Sequence, residues 1–333
     1  MAMKKFINNP TNLTSELLEG YCAAYADKVA LKSEKLVVRA KAKAPDKVAL
    51  VTLGGAGHEP ALSGFVGEGM LDISVVGDIF AAPGPTKVIE ALRLANCPAG
   101  VLFVVLNHAG DVMSANMAME MAQKEGLKVK MLLTHEDIAP GINAPVEDRR
   151  GLVGCVPLYK IAGAAAEAGK SLEEIYALAE RFNQNMATLA VALKTATHPI
   201  SGEFIGTLAD DEMEIGMGQH GEGGGGSMKM VSADETAEIM LEKLLNAINA
   251  KRGDKLFVML NGSGATTLME MFIVYRKVKQ LLAAKGMIVA DAFIDEILTV
   301  QEMAGFQMFV AKVDDELIEL LQAPCDTPYW TVR

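Results

Sequence analysis

The stretch Val48-Ala49-Leu50-Val51-Thr52-Leu53-Gly54-Gly55-Ala56-Gly57-His58-Glu59-Pro60 decides the reading of the fold. Its apolar and β-branched front half is the length of a buried strand and too short for a core helix. The glycines that follow let the chain turn sharply and let a ligand approach the backbone. Outward from it, residues 36–38, 101–106 and 129–134 read as further strands. Residues 85–95, with Pro85 or Thr86 near the start, read as a helix, as do 112–124 and 158–167. This alternation predicts an α/β fold built on a mostly parallel sheet covered on both faces.

Residues 171–193 read as one long helix, opened by the capping pattern Ser171-Leu172-Glu173-Glu174. Past Thr197-His198-Pro199 the rhythm restarts. Ser232 caps a helix to residue 250; 255–260, 287–290 and 307–310 read as strands, and 266–285 and 315–321 as helices. The expected organisation is two α/β domains, each a mostly parallel or mixed sheet covered by helices. Residues 1–198 form one, with the glycine-histidine loop, and residues 199–333 the other, with His220.

Half of the 333 residues are apolar, enough for a substantial interior. The longest apolar runs are strand-length, whereas a membrane-spanning helix needs about 20 such residues. The N-terminus leads into polar Asn8-Asn9-Pro10 rather than a signal-peptide core. With 42 acidic against 31 basic residues and no basic stripe, nucleic acid is not an expected partner. Cys22, Cys97, Cys155 and Cys325 are widely spaced, which gives neither a zinc signature nor a disulfide framework. A cytoplasmic protein with reduced thiols is expected.

Chemistry concentrates in three loops. His58 and Asn107-His108-Ala109-Gly110-Asp111 each follow a buried strand, and the carboxyl ends of strands are the binding edge of an α/β sheet. Taken singly, His58 could cap a helix and Asp111 could be a plain N-cap; together they favour a site. The third loop, Gly216-Met217-Gly218-Gln219-His220-Gly221-Glu222, runs into Gly223 to Gly226 and sets one imidazole among glycines. Its Gly-x-Gly-x-x-Gly spacing resembles a dinucleotide fingerprint. However, four more glycines stand where the required helix would begin. No Walker A lysine occurs, and nothing has His-x-x-x-His or cysteine ligand spacing, so no metal is expected. His135 and His198 read as structural, and His108 as either structural or functional.

These segments together resemble the K subunit of bacterial dihydroxyacetone kinase, the DhaK family. The resemblance runs nearly end to end, through Gly54 to Pro60, Gly67-Glu68-Gly69-Met70-Leu71, Asp78-Ile79-Phe80, Gly110-Asp111 and Arg149-Arg150-Gly151-Leu152. It continues through Lys160 to Glu167, Leu208 to Glu214, His220-Gly221-Glu222, Gly264-Ala265-Thr266, Gly305-Phe306 and Lys312 to Glu316. It implies a homodimeric two-domain subunit in which His220 adds to a small ketone as a hemiaminal. His58 would be the acid/base partner at the carbonyl oxygen. Asp111 would be the general base for the hydroxyl to be phosphorylated, and Gly55 would donate backbone hydrogen bonds. Covalent capture makes physical sense, because a triose of about six heavy atoms gains at most about 9 kcal/mol from ordinary contacts.

The resemblance also implies that this chain binds no cofactor of its own. MgADP or MgATP would sit on a separate L subunit, recharged from phosphoenolpyruvate by a phosphocarrier M subunit, and the chain alone would not turn over. Departures from the family pattern are Ala56 for serine, Ala81-Ala82 for Thr-Ser, Leu106 for lysine, His108 for an aromatic, and Gly223 after His-Gly-Glu. Small side chains at 56, 81 and 82 point to a longer ketose such as erythrulose. Loss of the lysine and hydroxyls also points to a second class, a dihydroxyacetone sensor that activates a transcription regulator without phosphorylating. A generic carbonyl- or fatty-acid-binding module is a third.

Overall fold

A computed structural model describes residues 5–333 as two compact α/β units, and these interleave along the chain. One takes the chain up to Thr134, then Cys155–Arg181 and Glu319–Arg333; the other takes His135–Gly154 and Phe182–Ile318. This replaces the expected single division at residue 198. The physical reason is a strand, Met186–Lys194, that must fold with the second sheet although it precedes the expected boundary.

The first unit is built on strands β1 (Val29–Lys32), β2 (Leu36–Arg39), β3 (Ala49–Ala56), β4 (Ile73–Ile79), β5 (Val101–Leu106) and β6 (Val129–Thr134). They lie in the order β1-β2-β4-β3-β5-β6, with β4, β3, β5 and β6 parallel and the β1–β2 end antiparallel. Successive strand residues face opposite ways, so each face needs its own cover. Val51 and Leu53 of β3 and Phe103 and Val105 of β5 pack with Val88 and Leu92 of α2 (Pro85–Ala95). Ala115 and Ala118 of α3 (Ala109–Lys124) complete that layer. Helix α1 (Leu13–Ala24) precedes the sheet. On the other face Thr52 meets α4 (Cys155–Glu167), its hydroxyl 2.9 Å from that of Tyr159. Lys160 of α4 is fully buried, and its ammonium donates to the Leu320 carbonyl at 2.7 Å.

Helix α5 (Leu172–Asn183) begins as expected, with Glu174 Oε2 accepting from the Ser171 nitrogen at 2.8 Å. It stops ten residues short of the expected end at 193. Residues 186–192 are buried without interruption and form β7 (Met186–Lys194), paired to strands on both sides. An apolar run with no polar face carries no period, so pairing rather than pattern selects strand over helix.

The second sheet contains β7, β8 (Glu212–Ile215), β9 (Ser227–Lys229), β10 (Lys255–Gly262), β11 (Ile288–Glu296) and β12 (Ala304–Lys312) in the order β11-β10-β12-β7-β8-β9. Only β10 and β11 run parallel, so this sheet is mixed with antiparallel pairs in the majority. Helices α6 (Ala233–Ala247) and α7 (Leu268–Ala284) cover one face through Met240, Leu244, Met271 and Val278. Both open with a capping box, Ser232 with Glu235 and Thr267 with Glu270. Each box satisfies two orphan helix donors, and losing the cap costs about 1 kcal/mol. The last helix, α8 (Asp315–Gln322), is followed by a ribbon of β13 (Cys325–Asp326) and β14 (Thr331–Val332).

Candidate functional site

Strands β3 and β5 are parallel neighbours, so the loops that follow them open at one edge of the first sheet. That edge carries Gly55, His58 and Asp111. The loop after β4 joins them. Its Phe80 ring lies 5.1 Å from the His58 ring, and Phe80 holds a left-handed φ of 56°. A side chain on Gly55 would place its Cβ 2.8 Å from the Ala81 nitrogen, closer than real Cβ atoms approach, so glycine lets the Ala81 backbone lie against β3. A Cβ on Gly110 would meet that of Ala82 at 3.4 Å. His58, Gly55 and the Asp111 turn therefore all border residues 80–82. Leu106, at the end of β5, is buried and apolar.

Asp111 is the third residue of α3, and the N-cap position belongs to His108, so Asp111 is not the cap. It is 8% exposed, and its Oδ1 is sealed from water with no hydrogen-bond partner. Burial pushes its carboxyl up to about 7. A carboxylate kept unsatisfied near neutrality costs folding energy and is poised to take a proton.

His220 belongs to the other unit. It follows β8 in a loop entered through Gly216 at φ 97° and left through Gly221 at φ 77°, both in the left-handed region that favours glycine. Side chains at Gly224 and Gly225 would collide with the carbonyl oxygens of Gly216 and Ile215, so part of the glycine run exists to let two backbone passes lie together. The imidazole is partly buried, and burial holds it below the usual histidine range; Glu222 pushes it up and Arg150 pushes it down. The lowered proton affinity favours the neutral ring, which keeps a lone pair on one nitrogen.

Arg150, Glu222 and Asp137 were not singled out from sequence as site residues, yet they hold this loop. Arg150 Nη2 donates to the Gly216 oxygen at 2.8 Å and Nε to Asp137 Oδ2 at 2.7 Å. The signal was present in Arg149-Arg150-Gly151 and His220-Gly221-Glu222, but only folding brings them together. His135 and His198 make local bonds. His135 Nε2 is 3.1 Å from Asn183 Nδ2, and His198 Nδ1 accepts from the Ile200 nitrogen at 3.3 Å. All four cysteines are free thiols. Among the described residues, no helix is long and apolar enough to cross a membrane.

Comparison with known proteins places these features in a family. The Dak1 domain matches residues 19–329. The chain is 39% identical, over 98% of its length and 100% of the relative's, to the dihydroxyacetone-binding subunit DhaK of PTS-dependent dihydroxyacetone kinase 1 of Listeria innocua. It is 36% identical to the L-erythrulose kinase of Pectobacterium atrosepticum, over 98% of this chain and 56% of that enzyme. Among solved structures, the dihydroxyacetone kinase operon co-activator DhaQ superposes with a TM-score of 0.90 at 30% identity, covering 96% of this chain and 98% of that one. With a matching domain over nearly its whole length and a DhaK relative covered from end to end, the chain belongs to the Dak1 domain family.

Proposed function

We propose that this protein is the ketose-binding subunit of a phosphoenolpyruvate-dependent dihydroxyacetone kinase. The neutral His220 imidazole adds its lone pair to the ketone carbon, and the carbonyl oxygen takes up a proton with His58 as acid, giving a hemiaminal. Gly55 donates from its backbone. Asp111 then removes the proton from the terminal hydroxyl as that oxygen attacks the γ-phosphorus of ATP, whose bond to the β,γ-bridging oxygen breaks so that ADP leaves. MgATP is held by a partner L subunit and regenerated from ADP by a phosphocarrier M subunit. The chain acts as a homodimer in the cytoplasm and does not turn over alone.

The observation that carries this reading is Asp111: a buried carboxylate with an unpartnered oxygen and an affinity for protons near neutrality. Glu136 and Glu296 also keep an unpartnered oxygen and are pushed up to about 7 by burial, but Asp111 alone of the three stands at the sheet edge that carries Gly55 and His58. A second reading, a dihydroxyacetone-sensing co-activator, is favoured by buried Leu106 where kinase subunits have lysine, and by the likeness to DhaQ.

The test is phosphoryl transfer to dihydroxyacetone and to erythrulose, using this chain with the L and phosphocarrier subunits of a PTS-dependent dihydroxyacetone kinase, and His220→Ala as control. Turnover that requires His220 supports the kinase, and the better substrate names the ketose. Ketone binding without turnover, with partners active on another K subunit, supports the sensor.

A further inference from the structure

Seven glycines stand between residues 216 and 226. Such a segment loses more conformational freedom on ordering than any other composition. A loop this free cannot aim an imidazole unless something outside it supplies the restraint. Arg150 is placed to do so. Its anchor is Asp137, whose side chain is fully buried and whose Oδ1 accepts from the Ala139 nitrogen at 2.9 Å. From there the guanidinium reaches the Gly216 oxygen at the loop's entry. At the loop's exit it pairs with Glu222, Nη1 lying 3.1 Å from Oε1. The other oxygen of Glu222 accepts from the His220 backbone nitrogen at 2.9 Å. A side chain on Gly218 would collide with both the guanidinium and the Glu222 carboxylate, so the loop is shaped around this pair.

We infer that Arg150 is a positioning residue for His220, gripping the loop at Gly216 and, through Glu222, at the backbone nitrogen of His220 itself. This rests on the ketone-capture reading of His220. A planar fork with several fixed donors suits the task; a lysine ammonium cannot span both ends of the loop. The pairing has an electrostatic consequence as well. Glu222 alone would favour the imidazolium, which has no lone pair to give, and Arg150 opposes it.

The experiment measures capture of [2-13C]dihydroxyacetone by NMR, where the carbonyl carbon becomes tetrahedral on bonding. It compares the full chain, Arg150→Gln, Arg150→Lys, Glu222→Gln, the Gln/Gln double variant, and His220→Ala. Amide hydrogen exchange is followed on the same proteins. Each single Gln variant is expected to weaken capture at least tenfold and to speed exchange of residues 216–222 at least tenfold, leaving α6 and α7 unchanged. Arg150→Lys restores capture in part. The double variant is no weaker than Arg150→Gln, because both substitutions cut one linkage.

Full-strength capture in the variants, or losses that multiply in the double, overturns the inference. Glu222→Gln guards against misfolding, since it leaves the Asp137–Arg150 pair intact; unchanged capture and exchange in that variant overturn the linkage. If the unsubstituted chain captures nothing, the reading of His220 fails, and the exchange rates alone then judge whether Arg150 holds the loop.

Discussion

The His58 and Phe80 rings lie 5.1 Å apart, centroid to centroid, with planes tilted by 43°. A ring pair of this kind contributes about 1 kcal/mol beyond burial, and here one of the rings is an imidazole of the candidate site. Phe80→Ala is expected to lower turnover about tenfold, the rate equivalent of about 1.4 kcal/mol, with Phe80→Leu between the two. Steady-state rates with the partner subunits check this. Equal rates for all three would mean that His58 is held by something else.

Asp111 gives a pH signature with a defined sign. Its carboxyl moves from 3.8 up to about 7 because it is buried. Between those values the folded state holds a proton that the unfolded state releases, so this group's contribution to stability falls as pH rises from about 4 to 7. The loss above pH 7 is on the order of 4 kcal/mol. Relative to the native chain, Asp111→Asn is expected to gain stability between pH 5 and pH 7 in denaturant titrations and to level off above that. The same variant is expected to lose about 100- to 10,000-fold in phosphoryl transfer while still capturing ketone. A stability difference that is flat with pH would show that the carboxyl is ionised throughout.

Lys47 and Asp72 form a buried pair, with Nζ 2.8 Å from Oδ2 and side chains 3% and 7% exposed. Asp72 also accepts from the Leu50 nitrogen at 2.8 Å and from Arg39 at 2.9 Å, tying β3 to the antiparallel end of the sheet. Asp72→Ala is expected to cost about 3–5 kcal/mol, since it leaves the buried Lys47 ammonium with only Glu167, 3.7 Å away, and the Leu50 backbone donor unmatched. Adding Lys47→Met is expected to recover part of that loss. Denaturation midpoints of the single and double variants decide it, and strict additivity would count against a paired role.

Gly163 sits inside α4, where alanine is favoured by about 1 kcal/mol on helix propensity. The packing overrides it. A Cβ there would collide with the Gly69 oxygen and the Met70 Cα, backbone atoms that cannot turn aside. Gly163→Ala is therefore expected to destabilise by about 1–3 kcal/mol, the range for overpacked cores. A raised melting temperature would show that α4 can shift.

The amino-acid sequence alone was enough for several elements with a strong local signal, though the buried strand Ile73–Ile79 and the helix Leu13–Ala24 were not read from it. The run ending at Gly54-Gly55 is a strand because its apolar residues alternate between two covered faces, and α6 starts at Ser232 because Ser232 and Glu235 box its first turn. The resemblance to DhaK proteins was legible for the same reason: His58, Asp111 and His220 stand in short motifs that survive without tertiary context.

Tertiary structure decided what those signals lack. Residues 186–192 are apolar on every side, so no period distinguishes strand from helix, and only pairing with β12 and β8 made them β7. That same pairing placed residues 182–198 in the unit of the second sheet rather than with the N-terminal strands. Arg150 could not be linked to His220 by spacing, because 68 residues of chain lie between the motifs Arg149-Arg150-Gly151 and His220-Gly221-Glu222, which meet only after the glycine loop folds back. Local propensity acts over a few residues, whereas burial and charge pairing act over ångströms, and the loop that holds His220 is built from the second kind.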